Sequence, residues 1–386
     1  MTTIIRAGSA QEFLALVPRL AGFMPAQSLV CVAFEGRRTL GVLRHDLPRR
    51  SRDRTALVSA VISSLCRMPG VDAIAPVVYT DEGFADHGGA PERRLVELLC
   101  RRAAEAGFGV RDALCRAADG WGSFLDAELP SGGRPLEELD VVPARGLHPH
   151  DELAEGPWAP ARLPEPDEHR AAAIARELRR IERADAGDTI FRALGDDVDP
   201  VELVERLLAP RASSALRRAW FLHLASRPVF RDGMMLQFAF GPVVGAAAHD
   251  DAVDLAERAE AQGESVDALI RREFAGHGPG LEVSEFLSRL MLGRTGLQPD
   301  RARLERALVV VREVVADAPA SHRSGPLCIA AWLCWALGRG SAAGALLDAV
   351  LTADPDYSMA RLLEQYLGTG ALPDWAFTRP PRLDEA

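Results

Sequence analysis

Residues 327–337 read Leu-Cys-Ile-Ala-Ala-Trp-Leu-Cys-Trp-Ala-Leu, a run without one side chain that prefers water. A helix that is apolar on every side has no face to turn to solvent, so this one is predicted to lie inside a larger body. At about 1.5 Å per residue it covers roughly half a bilayer, which excludes a membrane crossing. Gly338 is placed to take the left-handed position that closes the helix, and Ser341 to cap the next one. In that second helix Ser341, Gly344, Asp348 and Thr352 recur at helical spacing and predict one narrow solvent stripe. Pro355 ends it, and Asp356 is expected to cap a third helix with Met359, Leu362, Leu363, Tyr366 and Leu367 inward.

Gly338, Ala343, Leu347, Leu351 and Pro355 stand at spacings that resemble a tetratricopeptide-type helical pair. No second copy at that period is found upstream, and a repeat array needs about three units to bury a continuous core. The expectation is a helical hairpin packed into a larger domain rather than a peptide-binding groove.

At 386 residues the chain is long enough for two or three domains. Apolar residues at 48% and charged residues at 26% describe a soluble globular chain. The formal net charge of -10 argues against a general nucleic-acid binder, which needs clustered cations. Every fixed cation is arginine; lysine is absent. That removes enzymes built on a Walker A lysine, a Schiff-base lysine or a kinase-type phosphate lysine. Cysteines 31, 66, 100, 115, 328 and 334 show no Cys-x-x-Cys spacing and sit mostly in apolar runs, as reduced core residues of a cytoplasmic protein do. No secretory leader pattern opens the chain. The apolar run at 234–248, interrupted by Gln237, Gly241 and Pro242, is too short to span a membrane.

Helix and strand patterns alternate through residues 1–125. Ser9 is placed to cap a helix with Phe13, Leu14, Leu16, Val17 and Leu20 inward, which Pro18 should end or bend early. Residues 28–34 form a continuous apolar run of strand length, the mark of a strand covered on both faces. Glu35-Gly36-Arg37-Arg38 turns it into a second strand over 39–47. A helix at 53–68 leads to a strand at 73–79, and a helix at 91–106 leads to a strand at 110–117. Two helical crossovers predict parallel pairing, and the opening hairpin adds an antiparallel partner.

Residues 126–167 are rich in proline and glycine and break every period, as a linker or a loop laid over the sheet would. Helical patterns resume at 169–184, 200–208, 214–225, 251–262, 283–292 and 301–316, the last capped by Asp300. The expected fold class is α+β or α/β: a small mixed β-sheet with flanking helices at the N-terminus, followed by an all-α helical region. The helical domain is placed at 168–375, with its hairpin at 326–367 and a tail at 376–386.

Glu12-Phe13-Leu14-Ala15-Leu16-Val17-Pro18, Gly22-Phe23, Ser28-Leu29-Val30 and Arg44-His45-Asp46-Leu47-Pro48 near one end join Ala331-Trp332, Gly338-Arg339-Gly340, Asp354-Pro355 and Trp375 near the other. In this order they resemble the actinobacterial family known as domain of unknown function 4192. The likeness covers most of the chain and implies an uncharacterised protein, with no reaction or cofactor to carry over. Many relatives in that family carry a short cysteine-rich segment after the fourth strand; residues 120–130 here contain no cysteine.

Arg44 and Asp46 lie two apart near a strand end and so point to one face, while Tyr79-Thr80-Asp81 closes the third strand. Strand ends of α/β sheets are where ligands bind, which makes Arg44, Asp46, Tyr79 and Asp81 the candidate binding residues. His148 and His150 are weaker candidates for a metal, since a structural site takes about four ligands and no further cluster accompanies them. Asp196-Asp197-Val198-Asp199 reads as a helix start before Pro200 rather than a calcium loop. No Gly-x-Ser-x-Gly, His-Glu-x-x-His or dinucleotide-binding glycine pattern occurs. These features point first to a non-catalytic interaction or scaffold protein that binds a protein partner or its own copy, without cofactor, nucleic acid or membrane. The alternative is a small-molecule-binding protein or hydrolase-like enzyme with its site at the N-terminal strand ends.

Overall fold

The computed structural model of the chain describes residues 8–140, 156–185, 188–210, 213–276 and 282–378. Two compact units emerge, Met1–Ala159 with Phe377–Ala386, and Pro160–Ala376. The first is a small mixed sheet with helices on its faces; among the described residues the second is helical throughout.

Helix α1 (Ala10–Ala21) starts at Ser9, whose hydroxyl accepts from the Glu12 N–H, and closes on Gly22 at a left-handed φ of 82°. Pro18 does not end it early. The ring removes one helical hydrogen bond, but Leu14, Val17 and Pro18 are all buried, and that burial holds the last turn.

Six strands follow: β1 (Ser28–Glu35), β2 (Arg38–Asp46), β3 (Ala73–Tyr79), β4 (Gly109–Val110), β5 (Leu114–Arg116) and β6 (Trp121–Ser123). Their order is β2-β1-β3-β5-β6, with β4 also beside β3. The helices between them are α2 (Arg54–Arg67), α3 (Phe84–His87) and α4 (Arg93–Glu105). The first crossover differs from expectation. From β2 the chain returns over α2 to the free edge of β1, so β3 pairs antiparallel with β1 instead of parallel with β2. Only the second crossover, through α4, sets parallel strands side by side, β3 with β4 and β5.

The strand expected at 110–117 is broken into β4 and β5, and Pro76 supplies the cause. β4 pairs with Ala73 and Ile74, β5 pairs with Val77, Val78 and Tyr79, and the gap falls beside the proline, which has no N–H to donate to a ladder. Asp112 occupies the break, its carboxylate accepting from the Ala113 N–H at 2.8 Å.

Both faces of the sheet are covered, as the unbroken apolar run of β1 requires. Leu29, Cys31, Ala33, Ile74, Val78 and Cys115 face α2 and α4. Val30, Val32, Phe34, Val77, Tyr79, Leu114 and Trp121 form the opposite face, against Leu14 and Val17 of α1. The first part of the proline-rich segment stays with this unit. Trp121 and Arg134 exchange main-chain hydrogen bonds of 2.9 and 2.8 Å, and Leu136 and Leu139, at the start of α5 (Glu137–Asp140), pack on the α1 face.

The helical unit contains α6 (Glu168–Glu182), α7 (Thr189–Leu194), α8 (Pro200–Leu208), α9 (Ala215–Ala225), α10 (Pro228–Phe240), α11 (Pro242–Gln262), α12 (Val266–Gly276), α13 (Glu282–Met291), α14 (Arg301–Ala316), α15 (Ser324–Ala336), α16 (Gly340–Ala353) and α17 (Ser358–Gly368). The apolar run at 234–248 is two helices, divided at Gly241 (φ 91°) and Pro242. Asp300 caps α14 and Asp199 caps α8, each through its carboxylate. Every residue of α15 from Gly325 to Ala336 is buried. Gly338 closes it at φ 77°, with the Arg339 N–H reaching back to the Cys334 carbonyl at 2.7 Å. Three details differ from expectation. α16 begins at Gly340, so Ser341 lies within its first turn; α17 begins at Ser358 with no side-chain cap, so Asp356 does not cap it; and Leu362 is 63% exposed. The first turn after Pro355 is spent on a bend whose Asp354 carboxylate accepts from the Asp356 N–H, which moves the helix start and rotates Leu362 outward.

Candidate ligand site at the strand ends

Antiparallel register places Ser28 of β1 opposite Asp46 of β2 on one side and opposite Tyr79 of β3 on the other. Parallel register sets Tyr79 beside Arg116 of β5, and Arg116 faces Trp121 of β6. Directly paired residues project to the same side of a sheet. Asp46, Ser28, Tyr79, Arg116 and Trp121 therefore form one row across five of the six strands, on the face covered by α1 and at the carboxyl ends of the parallel pair β3 and β5.

Arg44 stands on the same face. Its Nε donates to Ser28 Oγ at 2.9 Å and its Nη2 to Asp46 Oδ1 at 2.5 Å. The Arg44 side chain is 10% exposed and that of Asp46 is 78% exposed, so the pair leads from solvent to the row. Ser28 Oγ donates to the Ala26 carbonyl at 2.6 Å and is fully committed. Tyr79 is 1% exposed, and among the described residues its hydroxyl has no hydrogen-bond partner. A buried hydroxyl without a partner costs about 1–3 kcal/mol, so it marks either a strained site or one awaiting a partner.

Of the four residues expected at this site, the sheet brings Arg44, Asp46 and Tyr79 to one face. Asp81 lies beyond the row in an exposed turn, where Thr80 Oγ1 accepts from the Glu82 N–H at 3.2 Å. His45 points to the opposite face; burial and then the Arg44 charge hold it below the usual imidazole range. His148 and His150 lie outside the described residues. Among the described residues no group of three or more His, Cys, Asp or Glu side chains is arranged to hold a metal ion.

Ser28, Arg116 and Trp121 escaped the sequence reading. Their signal was present only as strand register, and β6 is too short to show a period.

The helical unit offers a cleft of about 880 Å³ lined by Phe286, Arg289, Leu292, Arg294 and Thr295. Phe286 on its rim is 47% exposed. The hairpin helices α15 and α16 turn their apolar side chains inward and line no groove of this kind. Among the described residues no helix is long and apolar enough to cross a membrane.

Comparison with known proteins agrees with the resemblance carried by the two ends of the sequence. The model of a family described as "domain of unknown function (DUF4192)" matches residues 11–374. The chain belongs to that family. The match runs through both compact units, so sheet and helices are parts of one family architecture. No curated protein and no solved structure matches the chain.

Proposed function

We propose that this member of the family is a non-catalytic binding protein whose sheet unit holds a small polar molecule at the row through Tyr79. The observation that carries the reading is the Tyr79 hydroxyl, buried and without a partner between the Arg44–Ser28 pair and Arg116. A binding role is favoured over a hydrolase because the buried thiols and Ser123 of this unit are disarmed, Cys66 on α2 being the exposed exception. Burial pushes the Cys31 and Cys115 thiols up to about 12 and Cys100 up to about 11, and these thiols stay protonated at neutral pH. Ser123 donates to Asp112 Oδ1 at 2.5 Å with no histidine between them. Thiols kept reduced in the core also suit a cytoplasmic location.

The test is a thermal-shift screen of the full chain against a panel of small polar metabolites, run in parallel on Tyr79→Phe. The expected result is at least one compound that raises the wild-type midpoint and raises the variant's less. Equal shifts for both proteins with every active compound would reject the site.

A second reading, that the helical unit docks a protein partner or a second copy, is favoured by Val229 (43% exposed) and Phe230 beside Pro200 and Val201 at one cleft. Val243, 81% exposed, opens the neighbouring helix α11. Under this reading Val229→Asp changes the sedimentation of the full chain or of its complex; unchanged sedimentation argues against it.

A further inference from the structure

The chemistry of the row narrows the class of molecule it can hold. Arg116 is half-buried, and among the described residues its guanidinium makes no ion pair and no side-chain hydrogen bond. Trp121 is 5% exposed, and its Nε1–H has no acceptor among the described residues. Other buried indoles of this chain find carbonyls: Trp332 donates to Met291 at 2.9 Å, Trp335 to Ala371 at 2.8 Å and Trp375 to Ala336 at 3.0 Å. Trp220 also lacks an acceptor, but it is packed between the rings of Phe191 and His223. On the row, two orphaned donors flank an unpaired cation.

An indole and a guanidinium can only donate hydrogen bonds. Burial raises the Tyr79 pKa well above the usual phenol range while the Arg116 charge pulls the other way, so the hydroxyl keeps its proton and donates too. A neutral amide or alcohol would bring donors to face these donors. An oxyanion brings acceptors alone, and its bonds are charge-assisted. The acidic member of the row does not compete, because Asp46 is held by Arg44. A single free cation matches a single negative charge. A phosphate dianion would leave excess charge beside Val77 and Leu114, which are fully buried, and desolvation penalises that. The same apolar side chains suit a hydrocarbon body.

We infer that Tyr79, Arg116 and Trp121 bind the carboxylate of a small monoanionic acid with an apolar body, an inference that rests on the ligand-site reading above. The experiment is a titration of the ¹⁵N-labelled full chain with benzoate, benzamide and inorganic phosphate. The readout is the Trp121 indole N–H resonance, assigned by its absence in Trp121→Phe. Benzoate moves the resonance saturably, benzamide and phosphate do not, and Arg116→Met weakens benzoate about ten- to a hundredfold, as loss of a charge-assisted contact predicts. Tyr79→Phe, which keeps the shape of the side chain, weakens it about tenfold and replaces Arg116→Met if that variant does not fold. Benzamide binding as tightly as benzoate overturns the anion assignment and leaves a polar-ligand site standing. Phosphate binding more tightly than benzoate overturns the monoanion. No movement with any of the three overturns both this inference and the ligand-site reading.

Discussion

Replacing Tyr79 with phenylalanine removes one oxygen and nothing else, which makes its effect on stability a direct reading of what that oxygen touches. Among the described residues the hydroxyl is buried and unpartnered. Burying it unpaired costs about 1–3 kcal/mol, and the phenylalanine ring fills the same space. Taking the lower end, Tyr79→Phe stabilises the sheet unit by about 1 kcal/mol, which raises the midpoint of a unit of this size by roughly 2–4 °C. Differential scanning calorimetry of the full chain measures it. Saturating benzoate offsets the difference, because a tenfold tighter site gives the wild type about 1.4 kcal/mol more binding free energy than the variant. A midpoint that falls by a few degrees in the variant without benzoate would mean instead that the hydroxyl already has a partner in the folded protein.

Other perturbations follow from the packing of the helical unit. A Cβ on Gly325 would stand 2.1 Å from the Ala225 carbonyl oxygen, so Gly325→Ala destabilises by about 1–3 kcal/mol or more, read from urea unfolding. The Asp317 side chain is fully buried, receiving Arg170 Nε at 2.5 Å and Arg218 Nη1 at 3.4 Å. Asp317→Asn leaves those cations under-compensated and costs about 3–5 kcal/mol, the range for breaking a buried pair, checked by the same unfolding curves. Burial, then the Arg227 and His322 charges, lower the His223 pKa from 6.5 to about 4. The unfolded chain therefore takes up that proton first. The stability it contributes is present above about pH 6.5 and is lost as pH falls toward about 4, and His223→Gln flattens that part of the stability–pH curve.

What the sequence disclosed depended on how local the cause was. Strand β3, helix α8 and helix α14 with its Asp300 cap coincide with the patterns that predict them, because each is bounded by its own turn or cap chemistry. The interior position of α15 was legible for the same reason: an apolar side chain at every position leaves no alternative. The side of β1 on which β3 would pair was not legible, since a crossover helix reports that the chain returns but not to which edge. The break between β4 and β5 was missed because its cause, Pro76, lies on a neighbouring strand. Arg44, Asp46 and Tyr79 could be chosen from strand ends alone, whereas Arg116 and Trp121 join them only through a register spanning five strands. Asp81 was drawn into the site by closeness in sequence, yet two residues past a strand end suffice to carry it into the exposed turn.

The end of the sheet is proposed to hold an acid through Tyr79, Arg116 and Trp121, which lack side-chain partners among the described residues. A high-resolution crystal structure of the full chain grown with benzoate tests it most directly. The expected result is a carboxylate about 2.7–3.2 Å from Tyr79 Oη, the Arg116 guanidinium and Trp121 Nε1. Tyr79 Oη and Trp121 Nε1 bonded to other protein groups, with no benzoate beside Arg116, would contradict it.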